Sequence, residues 1–123
     1  MDKKRALLVD DSPYILKTLA AILERHGCLV AGQATNGLEA VRLYRELKPD
    51  FVTLDLVMPQ MGGIQTLQLL KRIDDKAKVV IVSSIADQSK IVECVRMGAI
   101  HYILKPFEED AVVDMLRHHI FNS

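Results

Sequence analysis

The sequence has little of what marks several large classes of protein. Cysteine occurs only as Cys28 and Cys94 in 123 residues. The two lie far apart and fit neither a C-x-x-C pair nor a zinc-ligand spacing, so reduced thiols in or near the core are expected. Net charge is also missing: Lys plus Arg and Asp plus Glu number 16 each, a formal charge of zero. A nucleic-acid binder needs a basic excess on one face, so no such partner is expected. No apolar run approaches the ~20 residues of a membrane span. The basic start, Met1-Asp2-Lys3-Lys4-Arg5, meets two aspartates after only Ala6 to Val9, too soon for a signal peptide. A cytoplasmic protein with no membrane segment is the reading. Repeats and low-complexity tracts are absent, and the length suits a single domain over 1–123.

What is present is a chain that is 50% hydrophobic, enough for a core without cross-links. Strand-type runs occur at 5–9, 29–35, 51–55, 78–83 and 100–105. The fourth is the most strongly β by residue type, and Gly32 and Gln33 weaken the second. Helical stripes lie between and after them. They are Ile15, Leu19, Ile22 and Leu23; Leu38, Val41 and Tyr44; Ile64, Leu67 and Leu70; Ile91, Val92 and Val95; and Val112, Val113, Leu116 and Ile120. The punctuation agrees. Ser12 and Asn36 suit N-caps, Pro13 a first helical position and Gly27 a left-handed stop. Residues 84–89 read as a polar loop. Strict alternation of strand and helix means an α/β fold, a parallel sheet with helices on both faces. The expected fold is a (βα)5 doubly wound five-stranded parallel sheet of flavodoxin-like type. Its order, 2-1-3-4-5, follows from the fold class, not from periodicity, and puts a switch point between the first and third strands.

The stretch Phe51-Val52-Thr53-Leu54-Asp55 drives into the interior and stops at a carboxylate. In this arrangement Asp10, Asp11, Asp55, Ser83 and Lys105 all sit at the C-terminal ends of strands, along one edge of the sheet. Two unit charges ~4 Å apart cost about 4 kcal/mol at an effective dielectric of 20. Three carboxylates therefore need a cation or a proton among them. Lys105 supplies one positive charge, and a hard divalent ion that prefers oxygen ligands, such as Mg²⁺, supplies two more. One carboxylate would remain available as a nucleophile.

The set Val9-Asp10-Asp11-Ser12, Leu54-Asp55-Leu56-Val57-Met58-Pro59, Val82-Ser83-Ser84 and Tyr102-Ile103-Leu104-Lys105-Pro106-Phe107 resembles response-regulator receiver domains, nearest the single-domain chemotaxis type. Each motif alone is weak; all four in order are specific. The resemblance implies a phosphorelay protein that catalyses only its own phosphotransfer and dephosphorylation. Asp55 would accept a phosphoryl group from a histidine kinase. Asp11 and Asp55 would ligate Mg²⁺, Asp10 would hold a metal-bound water, and the carbonyl of Val57 would complete the protein ligands. Ser83 and Lys105 would grip the phosphoryl oxygens, and Tyr102 would turn inward as the switch. It also implies a cis Lys105–Pro106 bond. The residues two beyond Asp55 and Ser83, Val57 and Ile85, offer no polar side chain to orient water. Slow self-hydrolysis, with a phosphatase as partner, is expected.

Blander readings exist for each residue: Asp10-Asp11 as cap and dipole partner, Asp55 in a turn, Ser83 as a cap, Lys105 as a solvated end, Tyr102 as packing. Their convergence on one edge favours the site. His118 and His119 are expected at the surface, and Met58 and Met61 in loop packing. A nucleotide or flavin binder of the same fold would want a Gly- or Ser/Thr-rich phosphate loop after the first strand, where this chain places two acids. An aspartyl phosphatase resembles Asp-x-Asp, whereas Ser12 lies two beyond Asp10. A monomer acting on a separate output protein is expected, through a surface including Ala86, Tyr102 and Leu104. A flagellar motor switch protein is the first candidate and a relay phosphotransferase the second; a phosphorelay intermediate or detached receiver is the alternative role.

Overall fold

The computed structural model describes residues 2–122, apart from the side chain of Ile85. Five strands alternate with five helices: β1 (Arg5–Val9), α1 (Pro13–Arg25), β2 (Leu29–Ala34), α2 (Gly37–Leu47), β3 (Phe51–Leu54), α3 (Gly63–Ile73), β4 (Val79–Ser84), α4 (Gln88–Arg96), β5 (His101–Lys105) and α5 (Glu109–Met115). The last helix continues as a π-helical turn, Leu116–Ile120. All pairings are parallel and the order is β2-β1-β3-β4-β5, as the alternation and fold class led us to expect.

Strand parity divides the core in two. Leu7, Val9, Val52, Leu54, Val79 and Ile81 pack on one face against α2, α3 and α4. Ala6, Leu8, Phe51, Val80, Val82 and Ile103 pack on the other against α1 and α5. Side chains alternate across a strand, so burying both faces requires the continuous apolar runs seen in the sequence. The expected caps form: the side chains of Ser12 and Asn36 accept from the amides of Ile15 and Glu39. Gly27 takes a φ of +90° where α1 stops. Both cysteines are free and buried, and burial pushes each thiol up to about 11.

Several expected helix faces are set differently. Leu38 is exposed and Val41 only partly buried, whereas Tyr44 is buried as expected, together with Gly37 and Ala40. Val92 and Val95 are exposed, and α4 buries Ile91 and Cys94. Residues 84–89 are not a plain loop: Ile85–Asp87 form a 3₁₀ turn that leads directly into α4. Met61 is buried and Met58 packs on the core, as loop packing implies. His118 is exposed, but His119 is half-buried, its ring stacked on His101 at 4.6 Å. Among the described residues no helix is long and apolar enough to cross a membrane.

Candidate functional site

The site lies where β1 and β3 run side by side and their chains turn away into different helices. Asp10 directly follows β1, and its amide donates to Ala34. Asp55 directly follows β3, and its amide donates to Val9, which extends the sheet pairing by one residue. Backbone bonds thereby fix the points at which both aspartates leave the sheet. Both are buried, whereas Asp11 is exposed. One carboxylate oxygen from each of Asp10, Asp11 and Asp55 lies within 4.8 Å of the others. Hard oxygen donors at this spacing fit a small divalent cation completed by water.

Lys105, at the end of β5, reaches the same place. Its Nζ donates to Asp10 Oδ2 at 2.8 Å and lies 3.5 Å from Asp55 Oδ1. The first is a hydrogen-bonded ion pair; the second is a longer electrostatic contact. Asp10 also accepts from the amide of Ser12 at 2.9 Å, so both of its oxygens are engaged. Asp55 is less well compensated. Burial, then the neighbouring Asp10, push its carboxyl above the ordinary value of 3.8, opposed by Lys105 and the amide of Val57. A buried carboxylate held against a second negative charge is poised to receive a cation.

Ser83 is wholly buried at the end of β4, but its hydroxyl donates to Asp87 Oδ2 at 2.7 Å. Asp87 was not among the residues singled out from the sequence. Its signal was a Ser83…Asp87 spacing of one helical turn, legible only if 85–87 is known to coil. Tyr102 lies on the outside of β5, 45% exposed, with its ring 5.7 Å from that of His101. Val57 is exposed beside Asp55. The side chain of Ile85, the other position expected to bear on dephosphorylation, lies outside the described residues. The Lys105–Pro106 bond is cis.

A groove of about 550 Å³ runs between α4 and β5, lined by Gln88, Ile91, Val92, Val95, Arg96, Tyr102 and Leu104. Of the three partner-surface residues named from the sequence, Tyr102 and Leu104 line it. Ala86 is exposed but does not.

A doubly wound sheet with carboxylates and a lysine at its switch point, where a nucleotide binder keeps a glycine-rich loop, defines a receiver of two-component signalling. The chain belongs to the response regulator receiver domain family, which it matches over residues 6–117. It is 43% identical to the chemotaxis protein CheY of Thermotoga maritima over 113 residues, covering 92% of this chain and 94% of that one. It is 38% identical to CheY of Bacillus subtilis, covering 91% and 93%. Among solved structures it is similar to a chain of the CheX–CheY–BeF₃–Mg²⁺ complex from Borrelia burgdorferi. There the TM-score is 0.88 and the identity 32%, over 92% of this chain and 86% of that one.

Proposed function

We propose that this receiver takes a phosphoryl group from the phosphohistidine of a histidine kinase onto Asp55, in a reaction that requires Mg²⁺. The observation that carries the reading is the meeting of Asp10, Asp11 and Asp55 with the Lys105 ammonium between two of them. A carboxylate oxygen of Asp55 attacks phosphorus, the P–N bond to the imidazole breaks, and the leaving imidazole takes up a proton. Phosphoryl transfer of this kind is catalysed by position and by charge neutralisation. Asp11 and Asp55, with the Val57 carbonyl, would hold Mg²⁺, whose positive charge would let a carboxylate approach an anion. Asp10 orients the water side of that site and tethers Lys105. Lys105 then swings its charge toward the new phosphoryl oxygens, and Ser83 donates to one of them.

The acyl phosphate acts by population shift, favouring an arrangement of residues 84–89 that the free chain visits only in part. The groove between α4 and β5 is the surface through which a separate output protein reads that shift. The chemotaxis relatives support chemotaxis as its setting, and a flagellar motor switch protein is the output partner proposed there. The similar CheX–CheY–BeF₃–Mg²⁺ complex supports both a metal-dependent state and a protein partner.

The test is incorporation of phosphate from acetyl phosphate or a phosphorylated kinase, read by intact mass. Labelling is expected with Mg²⁺ and not with excess chelator, and not in Asp55→Asn. Labelling without a divalent ion, or undiminished in Asp55→Asn, overturns the assignment.

A further inference from the structure

The resting partner of Ser83 is chemically exclusive. A serine hydroxyl carries one proton, and an ionised carboxylate can only accept. The 2.7 Å contact therefore commits the Ser83 proton to Asp87 Oδ2, and the same oxygen also accepts from Ser84 at 3.4 Å. Ser83 cannot donate to Asp87 and to an oxyanion on Asp55 at the same time. Asp87 ends the 3₁₀ turn Ile85–Asp87 and directly precedes α4. A carboxylate there would ordinarily cap the helix, yet Asp87 makes no side-chain cap bond. Its hydrogen bonds go to the two serines instead. Gln88, the next residue, already lines the groove against β5.

We propose that Asp87 is a positioning residue that latches Ser83 in the resting state and ties it to the start of α4. Occupancy of the Asp55 site is felt at the α4–β5 groove because Ser83 must let go of Asp87. This rests on the reading of Asp55 as phospho-acceptor. In thermodynamic terms, the latch lowers the fraction of molecules whose Ser83 is free to donate. It weakens apparent affinity for a phosphoryl group or its mimic by that fraction. A hydrogen bond to a charged acceptor shifts a buried equilibrium roughly 10- to 100-fold. Asp87 is half-exposed, so a smaller shift, about 3- to 10-fold, is expected.

The experiment titrates the full chain with beryllium trifluoride in saturating Mg²⁺, following backbone amide resonances of residues 85–91. Wild type is compared with Asp87→Ala, Asp87→Asn, Ser83→Ala and the Ser83→Ala/Asp87→Ala pair. Asp87→Ala is expected to bind roughly 3- to 10-fold more tightly, with its free-state resonances moved toward the bound positions of wild type. Asp87→Asn, which keeps an acceptor without the charge, is expected to fall between. Removing a negative charge also favours an anion nonspecifically, so the paired variant decides. In the Ser83→Ala background the Asp87→Ala gain is expected to shrink below about twofold. An equal gain in both backgrounds, or no gain in either, overturns the latch. Failure of wild type to bind the mimic at all overturns the Asp55 reading instead, and the latch falls with it.

Discussion

Asp55 is a residue whose reactivity and whose cost to the fold have the same origin. Burial and Asp10 raise its carboxyl above 3.8, so ionising it in the folded chain is less favourable than in the unfolded one. The sign follows directly: the fold loses stability as pH rises from the ordinary carboxyl range through the raised value. Without divalent cations, Asp55→Asn is therefore expected to be more stable than wild type at pH 7, by on the order of 1 kcal/mol once Lys105 is allowed for. Thermal unfolding in chelator checks it. The advantage should disappear below about pH 4, where wild-type Asp55 is protonated too. A lower Tm for Asp55→Asn at pH 7 would show that Lys105 more than offsets the repulsion. Beside it, Val57 is 56% exposed and carries only methyl groups, with no polar atom to orient an attacking water. Val57→Asn is expected to shorten the lifetime of phospho-Asp55 roughly 3- to 10-fold by orienting that water. Decay followed after removal of the donor measures it, and an unchanged or longer lifetime counts against the role.

The elements hold this chemistry in place through close backbone approaches, and these were the hardest features to read in advance. A Cβ on Gly63, the first residue of α3, would lie 2.4 Å from the Asp55 carbonyl oxygen and 2.6 Å from Leu56 Cα. The Gly63 amide donates to Leu56, folding the loop after β3 back on itself. Gly63→Ala must push on the backbone that carries Asp55. A loss of roughly 1–3 kcal/mol is expected, together with weaker Mg²⁺ binding, both measurable by thermal unfolding with and without the ion. A fully stable Gly63→Ala with unchanged metal response would mean that the loop yields freely. At Gly37 a Cβ would collide with Thr66 Oγ1 and meet Met61 at 2.8 Å, so α2 turns this glycine toward α3. This is why the expected stripe failed at Leu38 while holding at Tyr44: glycine and alanine fill part of the buried face and leave little apolar signal. The valines of α4 misled for the complementary reason, since Val92 and Val95 face the groove and not the core. The central strands β1, β3 and β4 were legible because each had to be apolar on both faces. The site was legible as a set of strand-end residues. Its resting wiring was not, because the Ser83–Asp87 bond depends on a 3₁₀ turn that the polar composition of 84–89 conceals.

Across the whole molecule, two ends of one sheet titrate in different ranges. At the start of β5, burial, then His119 and His118, hold His101 below its ordinary value of 6.5. The folded state therefore takes up its proton later than the unfolded chain, and stability falls as pH drops through 6.5 toward the lowered value. His101→Gln is expected to flatten unfolding stability between about pH 7 and 5, and an unaltered slope would place the loss elsewhere. At the other end, three carboxylates face one lysine although the chain as a whole is neutral. That leaves two formal negative charges, the number a divalent ion carries. An ion that binds only the folded state stabilises it by about 1.4 kcal/mol at tenfold excess over its Kd. For a chain of this length that is a rise in Tm of roughly 4–6 °C. Mg²⁺ is expected to produce it in wild type, while Asp11→Asn, altered at the exposed member of the cluster, should lose most of it. Protons compete for the same oxygens. Because Asp55 holds its proton above the ordinary carboxyl range, the Mg²⁺ response should fade on acidification at a higher pH than for a site of ordinary carboxylates. Comparing the Mg²⁺-dependent Tm at stepped pH in wild type and Asp11→Asn separates this from general salt effects. A rise that is the same in both would mean the ion acts away from the switch point.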